Sequence, residues 1–417
     1  MLRSCQALLL SCGLCLIACV SSLEDNATTE STTPSPQSKG VLHDIRSAHE
    51  GKVYGLAFSD GPLLASAGTD RMVNVWNLSS LPVVKPSRRL KGHTAAVTSV
   101  AFSPSDWTLL VSGGADNTSR LWNVSTGQAL AVLSHPKTVF GVAVQPLGAL
   151  LATACWDGAV RLYNLPSFHL QAELTGHAGG LYSVAFSPLD PSLLASASAD
   201  RSVRIWDLSQ ADSPRLLWQL QSHGDHVTSV DWSPTEVMTL SSTSWDRKFR
   251  MWHIPEEEYQ GCRVQQGACT SKLLPQFVRK HPQLVWRTSF SPDGKQVAAC
   301  HGAVGQSPTV IVYDVVTGAV LRRLGRHRDT PLMVTWSASG QMLASAGMDR
   351  RVLVYDTATL EDDLPQGDLD DAEETVQWKL DLQGFLSGSL ERHNESESNH
   401  SGLMHIPHPM QGHGIIY

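Results

Sequence analysis

One stretch of this chain is written seven times over, and that repetition decides what the chain can fold into. LLASAGTDRMVNVWNL at 63–78, LLASASADRSVRIWDL at 193–208 and MLASAGMDRRVLVYDT at 342–357 are a single pattern. TLLVSGGADNTSRLWNV, ALLATACWDGAVRLYNL and VMTLSSTSWDRKFRMWHI bring the clear copies to six, and a weaker seventh runs from His281 to Tyr313. A histidine precedes each copy: His49, His93, His135, His177, His223, His281 and His327, at steps of 44, 42, 42, 46, 58 and 46 residues. Such a period marks a repeat architecture, in which each copy is one supersecondary unit that buries its faces against its neighbours. The one long step reflects an insertion at about 253–275.

Within a copy, runs such as VTSVAFS, TLLVSGG and TSRLWNV alternate or cluster apolar β-formers and are broken by turn residues, so each copy supplies about four strands. Four strands make one propeller blade. On these residues the chain resembles the WD-repeat family over about 41–357. The resemblance implies an all-β, seven-bladed propeller over 40–357. It also implies a scaffold that holds peptides or domains of partner proteins. A narrower role, substrate receptor of a ubiquitin ligase, is weakly supported, because the Trp-Asp-any-Arg of cullin-bound receptors is replaced by WNLS, WNVS, WDLS and WHIP.

Each good copy carries a His, then a Ser/Thr four residues before an Asp, then an aromatic six residues after it. The sets are His49, Ser66, Asp70, Trp76; His93, Ser112, Asp116, Trp122; His177, Ser196, Asp200, Trp206; and His223, Ser242, Asp246, Trp252. The resemblance implies that each set is a buried hydrogen-bonded network. His, Ser and Asp together also suggest a nucleophilic triad, but an active site is needed once and this set recurs at least four times. The reading is therefore structural, with no enzyme, cofactor or metal site. Tyr163 and Tyr355 replace Trp, and the copy ending at Tyr313 has Ser307 where the Asp belongs, so the sixth blade, with its HGAVGQS segment, is expected to be the least well tied.

A propeller must also pair its last blade or leave an edge open. Val41–Arg46 stands before His49 as the outer-strand segments stand before later copies, and it is expected to complete the last blade. The rival is the alternating segment Val376–Leu382.

The ends differ from the body. Residues 1–22 have a basic start, an apolar run and small residues, the layout of a secretory signal too short to span a bilayer comfortably. Residues 23–39 form a Ser/Thr/Pro-rich linker with a glycosylation sequon at Asn26. Residues 357–417 hold 12 acidic against 2 basic residues, and the tail from 358 reads as disordered. No clustered Lys/Arg marks a nucleic-acid partner. Cys262 and Cys269 share the insertion and are expected as two free thiols. Location is contested: the family resemblance implies cytoplasm or nucleus, whereas residues 1–22 suggest the secretory pathway and an extracellular protein or glycan as ligand.

The resemblance also places certain positions at one mouth of the channel: those flanking the first apolar residue of each innermost strand, and the residue before each network Asp. Here these are Lys52, Tyr54, Phe140, Trp156, Tyr182, His226, Trp245, Leu284, Trp286, Leu332 and Met348. Blades three to six thus line one arc with aromatics, which is the expected partner-binding site.

Overall fold

The computed structural model describes residues 40–79, 85–210, 213–221, 223–264, 268–269, 273–302 and 308–360. Outside them lie the signal-like segment, the linker, the sequon at Asn26, the tail beyond Leu360, the rival strand at 376–382 and residues 303–307 of the sixth copy.

Seven antiparallel four-stranded sheets make up the fold. In each blade strand a is innermost and strand d outermost, and, where the connections are described, strands a, b and c follow one another through short turns. Burial follows position. Strand b of the fourth blade, Leu193–Ser198, and of the fifth, Thr239–Ser244, is buried at every residue, whereas strand d of the second, Gln128–Ser134, is mostly exposed. Strands covered on both faces read as continuous runs of small and β-branched residues; half-covered ones alternate. The runs LLASA and TLSST are what a strand between two other blades requires.

The core lies between blades. One cluster joins Ala65, Val73, Val75 and Leu90 of the first blade to Val97, Phe102, Leu110 and Trp122 of the second. Another joins Ile45, Met333, Val352 and Val354 to Val53, Leu56 and Trp76, which seals the ring where the chain begins and ends.

Closure comes from the N-terminal side. Strand Val41–Ile45 pairs antiparallel with Val352–Asp356, with His43 opposite Val354 and Ile45 opposite Val352. Asp44 bonds the Arg351 guanidinium, Nε at 3.0 Å. The sequence repeat is therefore offset by one strand from the structural blade, and the first copy gives its leading strand to the last blade. The described chain continues to Leu360, three residues past the propeller boundary read from the sequence; Leu360 is buried, and its carbonyl accepts from Arg322 Nε at 3.1 Å.

The insertion departs from expectation. It contains a helix, α1 (Glu256–Val264), with three glutamates in the first turn and Arg263 in the last, an arrangement that complements the helix dipole. It returns from the fifth blade to the fourth: Tyr259 Oη donates to Asp190 at 2.5 Å, Arg263 to Ser192 Oγ at 2.6 Å, and the Cys269 N–H to the Leu217 carbonyl at 2.8 Å. Cys262 and Cys269 are not free thiols but a disulfide, with Cα atoms 5.8 Å apart. Docking of α1 on the fourth blade brings the two sulfurs together, and nothing in the spacing alone requires that.

Candidate interaction face

The connections from d to a and from b to c form one face of the ring, and the His–Ser–Asp–Trp sets lie just beneath it. In the first blade His49 Nδ1 is 2.9 Å from Asp70, its Nε2 is 2.8 Å from Ser66 Oγ, and Trp76 Nε1 donates to the same Oγ at 2.9 Å. The second, fourth and fifth blades repeat this, with His–Ser distances of 2.7, 2.8 and 2.8 Å and Trp–Ser distances of 2.8, 2.9 and 2.8 Å. Only one proton arrangement satisfies every member with a neutral imidazole. Nδ1–H donates to the carboxylate, the seryl O–H donates to Nε2, and the indole donates to the seryl oxygen. The serine proton is thus spent on the imidazole and its oxygen is covered by an indole. The seventh blade keeps the His327–Ser345–Asp349 part, with Tyr355 for Trp.

Two blades depart from the pattern. In the third, Arg161 takes Asp157 at 2.7 Å, and His135 turns instead to Ser119 of the second blade at 2.9 Å. In the sixth, Tyr313 Oη lies 3.1 Å from His281 and 3.2 Å from His301. That blade is tied by a hydroxyl between two imidazoles rather than through Ser and Asp. The sequence carried a signal, since His301 closes a strand whose equivalents end in Gly68, Gly114 or Ser198.

These networks predict acid sensitivity. Burial alone would raise the carboxyls, but imidazole and turn N–H bonds outweigh it and hold Asp70, Asp116, Asp200, Asp246 and Asp349 below the ordinary aspartate value. Burial lowers His93 and His177, takes His223 to about 4, and together with the Arg279 charge takes His281 to about 3. As pH falls below 6.5, the ordinary imidazole value, the unfolded chain binds protons that the folded one refuses, so stability drops. Near the unfolded aspartate value, about 3.9, the carboxylates begin to lose their contribution as well. Thermal melts should fall steadily from pH 7.5 to 4.5, and a flat profile would remove this account. Asp200→Ala should cost about 2–3 kcal/mol through the donors it leaves unpaired.

Above the networks lies the aromatic arc. Phe140, Trp156 and Tyr182 meet with centroids 5.2–5.5 Å apart, Tyr182 contacts His226 at 5.9 Å and Trp245 at 5.7 Å, His226 stacks on Trp245 at 4.8 Å, and Trp286 follows at 5.9 Å. All six are half-buried, so they are walls of a mouth rather than free-standing rings. Two are pinned by hydrogen bonds, Tyr182 Oη to His226 Nδ1 at 3.2 Å and Trp286 Nε1 to the Gly302 carbonyl at 3.1 Å. Trp156 packs against Gly180 of the next blade, where a Cβ would collide with its ring. Trp245 Nε1 is buried and has no acceptor among the described residues.

The other positions named from the sequence are less engaged. Tyr54, Met348, Lys52 and Leu284 are also half-buried, and Tyr54 joins none of the ring contacts among the described residues. Leu332 is more enclosed than these, at 7% exposure. Sequence reasoning missed the arginines at the b–c turns, Arg71, Arg201, Arg247 and Arg350, whose signal is the Asp-Arg pair written in four copies.

Among the described residues no helix is long and apolar enough to cross a membrane, and no group of three or more His, Cys, Asp or Glu is placed to hold a metal ion. An anaphase-promoting complex subunit cdc20 of Dictyostelium discoideum is 34% identical over 197 residues, 41% of this chain and 37% of that one. The transcriptional corepressor LEUNIG_HOMOLOG of Arabidopsis thaliana is 27% identical over 188 residues, 45% of this chain and 18% of its own length. Polycomb protein EED of Chaetomium thermophilum is 43% identical over 60 residues, 14% of this chain and 11% of its own. The chain therefore spans less than two fifths of each of these relatives. The family model for the WD domain, G-beta repeat, matches residues 40–77, 84–123, 127–164, 168–207, 214–253 and 318–356, skipping the insertion and the three inner strands of the sixth blade, where the network is rebuilt. Those matches cover more than half of the chain, which belongs to the WD40 repeat family.

Proposed function

We propose that this chain is a protein-interaction platform that captures peptides or domains of partner proteins on the mouth lined by Phe140, Trp156, Tyr182, His226, Trp245 and Trp286. The observation that carries the reading is the unbroken run of ring contacts across four blades. The repeat does not ask for these rings, since the positions of Trp156 and Trp245 are filled by Thr69, Ala115 and Ala199 in other blades. Rigid, partly desolvated aromatics are what interfaces use as anchors. Catalysis has no support: the serines are capped by imidazole and indole, four times alike. A nucleic-acid partner is not expected. The names of the anaphase-promoting relatives are compatible with a ubiquitin-ligase receptor role, which is a special case of the same platform.

A photo-crosslinking amino acid at position 140, and in a second sample at position 107, tests the face. Trp107 is 52% exposed at the a–b turn on the opposite side of the ring. Partners trapped from 140 and not from 107 are expected, and the reverse result removes the proposal.

A second reading, a platform in the secretory pathway binding an extracellular protein or glycan, is favoured by the Cys262–Cys269 disulfide. Disulfides persist in oxidising compartments and are rare in the cytosol. Thiol trapping at lysis together with the mature N-terminus separates the two. A blocked Cys262 with an N-terminus near Leu23 and glycan on Asn26 places the chain in the lumen. An intact Met1 with both thiols labelled places it in the cytosol.

A further inference from the structure

Four blades hold an arginine in the left-handed backbone region at the b–c turn: Arg71 at φ 68°, Arg201 at 71°, Arg247 at 64° and Arg350 at 63°. That region suits glycine and asparagine, and the second and third blades use Asn117 and Gly158 at the same place. All four arginines are exposed, so burial does not repay the strain. At Arg71, Arg201 and Arg247 a local rule broken without burial points to a use outside the fold.

Their charge stands beside the arc. Arg247 follows Trp245 by two residues, and at His226 burial lowers the imidazole most, the Asp225 charge opposes it, and the Arg201 charge adds to it. Lys137 and Arg328 are also exposed on this face. The network aspartates are withdrawn, with side chains no more than 9% exposed and their oxygens engaged by imidazole and turn N–H groups. Of the other acids here, Glu50 is exposed, Asp225 and Asp329 are partly so, and Asp157 is partly exposed but paired with Arg161. Cations thus outnumber anions in the solvent around a mouth of aromatic rings.

We propose that this mouth is the docking site for an acidic peptide segment carrying one aromatic or large aliphatic side chain. The apolar side chain enters the arc, and carboxylates meet Arg201 and Arg247. Arginine suits the task because its planar fork matches a carboxylate in two parallel bonds, which lysine cannot do. The inference rests on the platform reading and adds the chemistry of the partner.

The test pans a random peptide display library against the immobilised full chain and measures the selected peptides by fluorescence anisotropy. Peptides with net negative charge and one large apolar residue are expected. Their affinity should fall at least about tenfold on the double variant Arg201→Asn, Arg247→Asn, and also on raising salt, which screens exposed charges. The melting temperature of that variant should hold or rise, since asparagine suits the left-handed turn and Asn117 already occupies one. Neutral or basic selected peptides overturn the proposal, as do acidic ones that bind the double variant unchanged. If such peptides still lose affinity on Trp245→Ala, only the charge inference falls. If they ignore that change too, the arc is not the site and the platform reading falls with it.

Discussion

Removal of residues 40–47 should lower the melting temperature by at least about 10 °C or leave the protein insoluble, whereas truncation after Leu360 should leave the melt unchanged. The deleted strand supplies the ladder to Val352–Asp356, buries His43 and Ile45, and holds Arg351 through Asp44. Four or five backbone bonds at about 1 kcal/mol each, with about 2 kcal/mol for the buried isoleucine, put the loss on the order of 5 kcal/mol or more. At about 2 °C per kcal/mol for a domain of this size, that reaches the stated shift. The failure would be structural as well as energetic. Without the strand, Val352, Val354 and their neighbours in the seventh blade form an unpaired apolar edge, a template for pairing between copies. Soluble monomer that melts like the full chain would mean the ring is closed in some other way, and lower stability after truncation at 360 would identify the tail as the closing element.

The ring and its closure are legible in the sequence because they depend on spacing. A histidine every 42–46 residues, but for one step of 58, and the aromatic that closes each copy are one-dimensional facts, and the offset of the N-terminal strand follows from counting them. Exchanges between blades are not legible in that way. Asp157 stands where other copies carry the network aspartate, but Arg161, four residues on, takes it as a charged partner, and the His135 imidazole bonds the neighbouring blade instead. The insertion defeats spacing for a different reason. Its nine-residue helix is apolar only at Tyr259 and Cys262 on its buried side, too short a pattern to announce itself, and its disulfide depends on docking against a blade it does not belong to. The arc is intermediate: its residues are readable as ring after ring, while the degree to which they bury one another depends on the curvature of the ring.

The largest functional effect should come from the tryptophans. The triple variant Trp156→Ala, Trp245→Ala, Trp286→Ala is expected to weaken partner capture by at least about a hundredfold, and each single variant by about tenfold or more, taking about 2 kcal/mol per desolvated anchor and allowing for non-additivity within one cluster. The melting temperature should change by only a few degrees, because the rings stand half-buried above the networks and none donates to a network serine. Loss of binding after deleting three large side chains is nevertheless an ambiguous result, since the mouth itself collapses. Gly180→Ala supplies the cleaner perturbation. It removes no ring, but its Cβ would occupy the space of the Trp156 ring, and Trp156 in turn abuts Phe140 at 5.2 Å and Tyr182 at 5.2 Å. One added methyl must therefore tilt Trp156 and disturb the third- and fourth-blade end of the arc while leaving the pair of His226 and Trp245 in place. Partner affinity should fall with Gly180→Ala by a factor comparable to Trp156→Ala, and combining the two should add little, since both changes remove the same seated ring. If Gly180→Ala binds like the parent while Trp156→Ala does not, the ring acts through its bulk and not its position. If the triple variant keeps full affinity, the partner docks on the rim, the insertion or the opposite face.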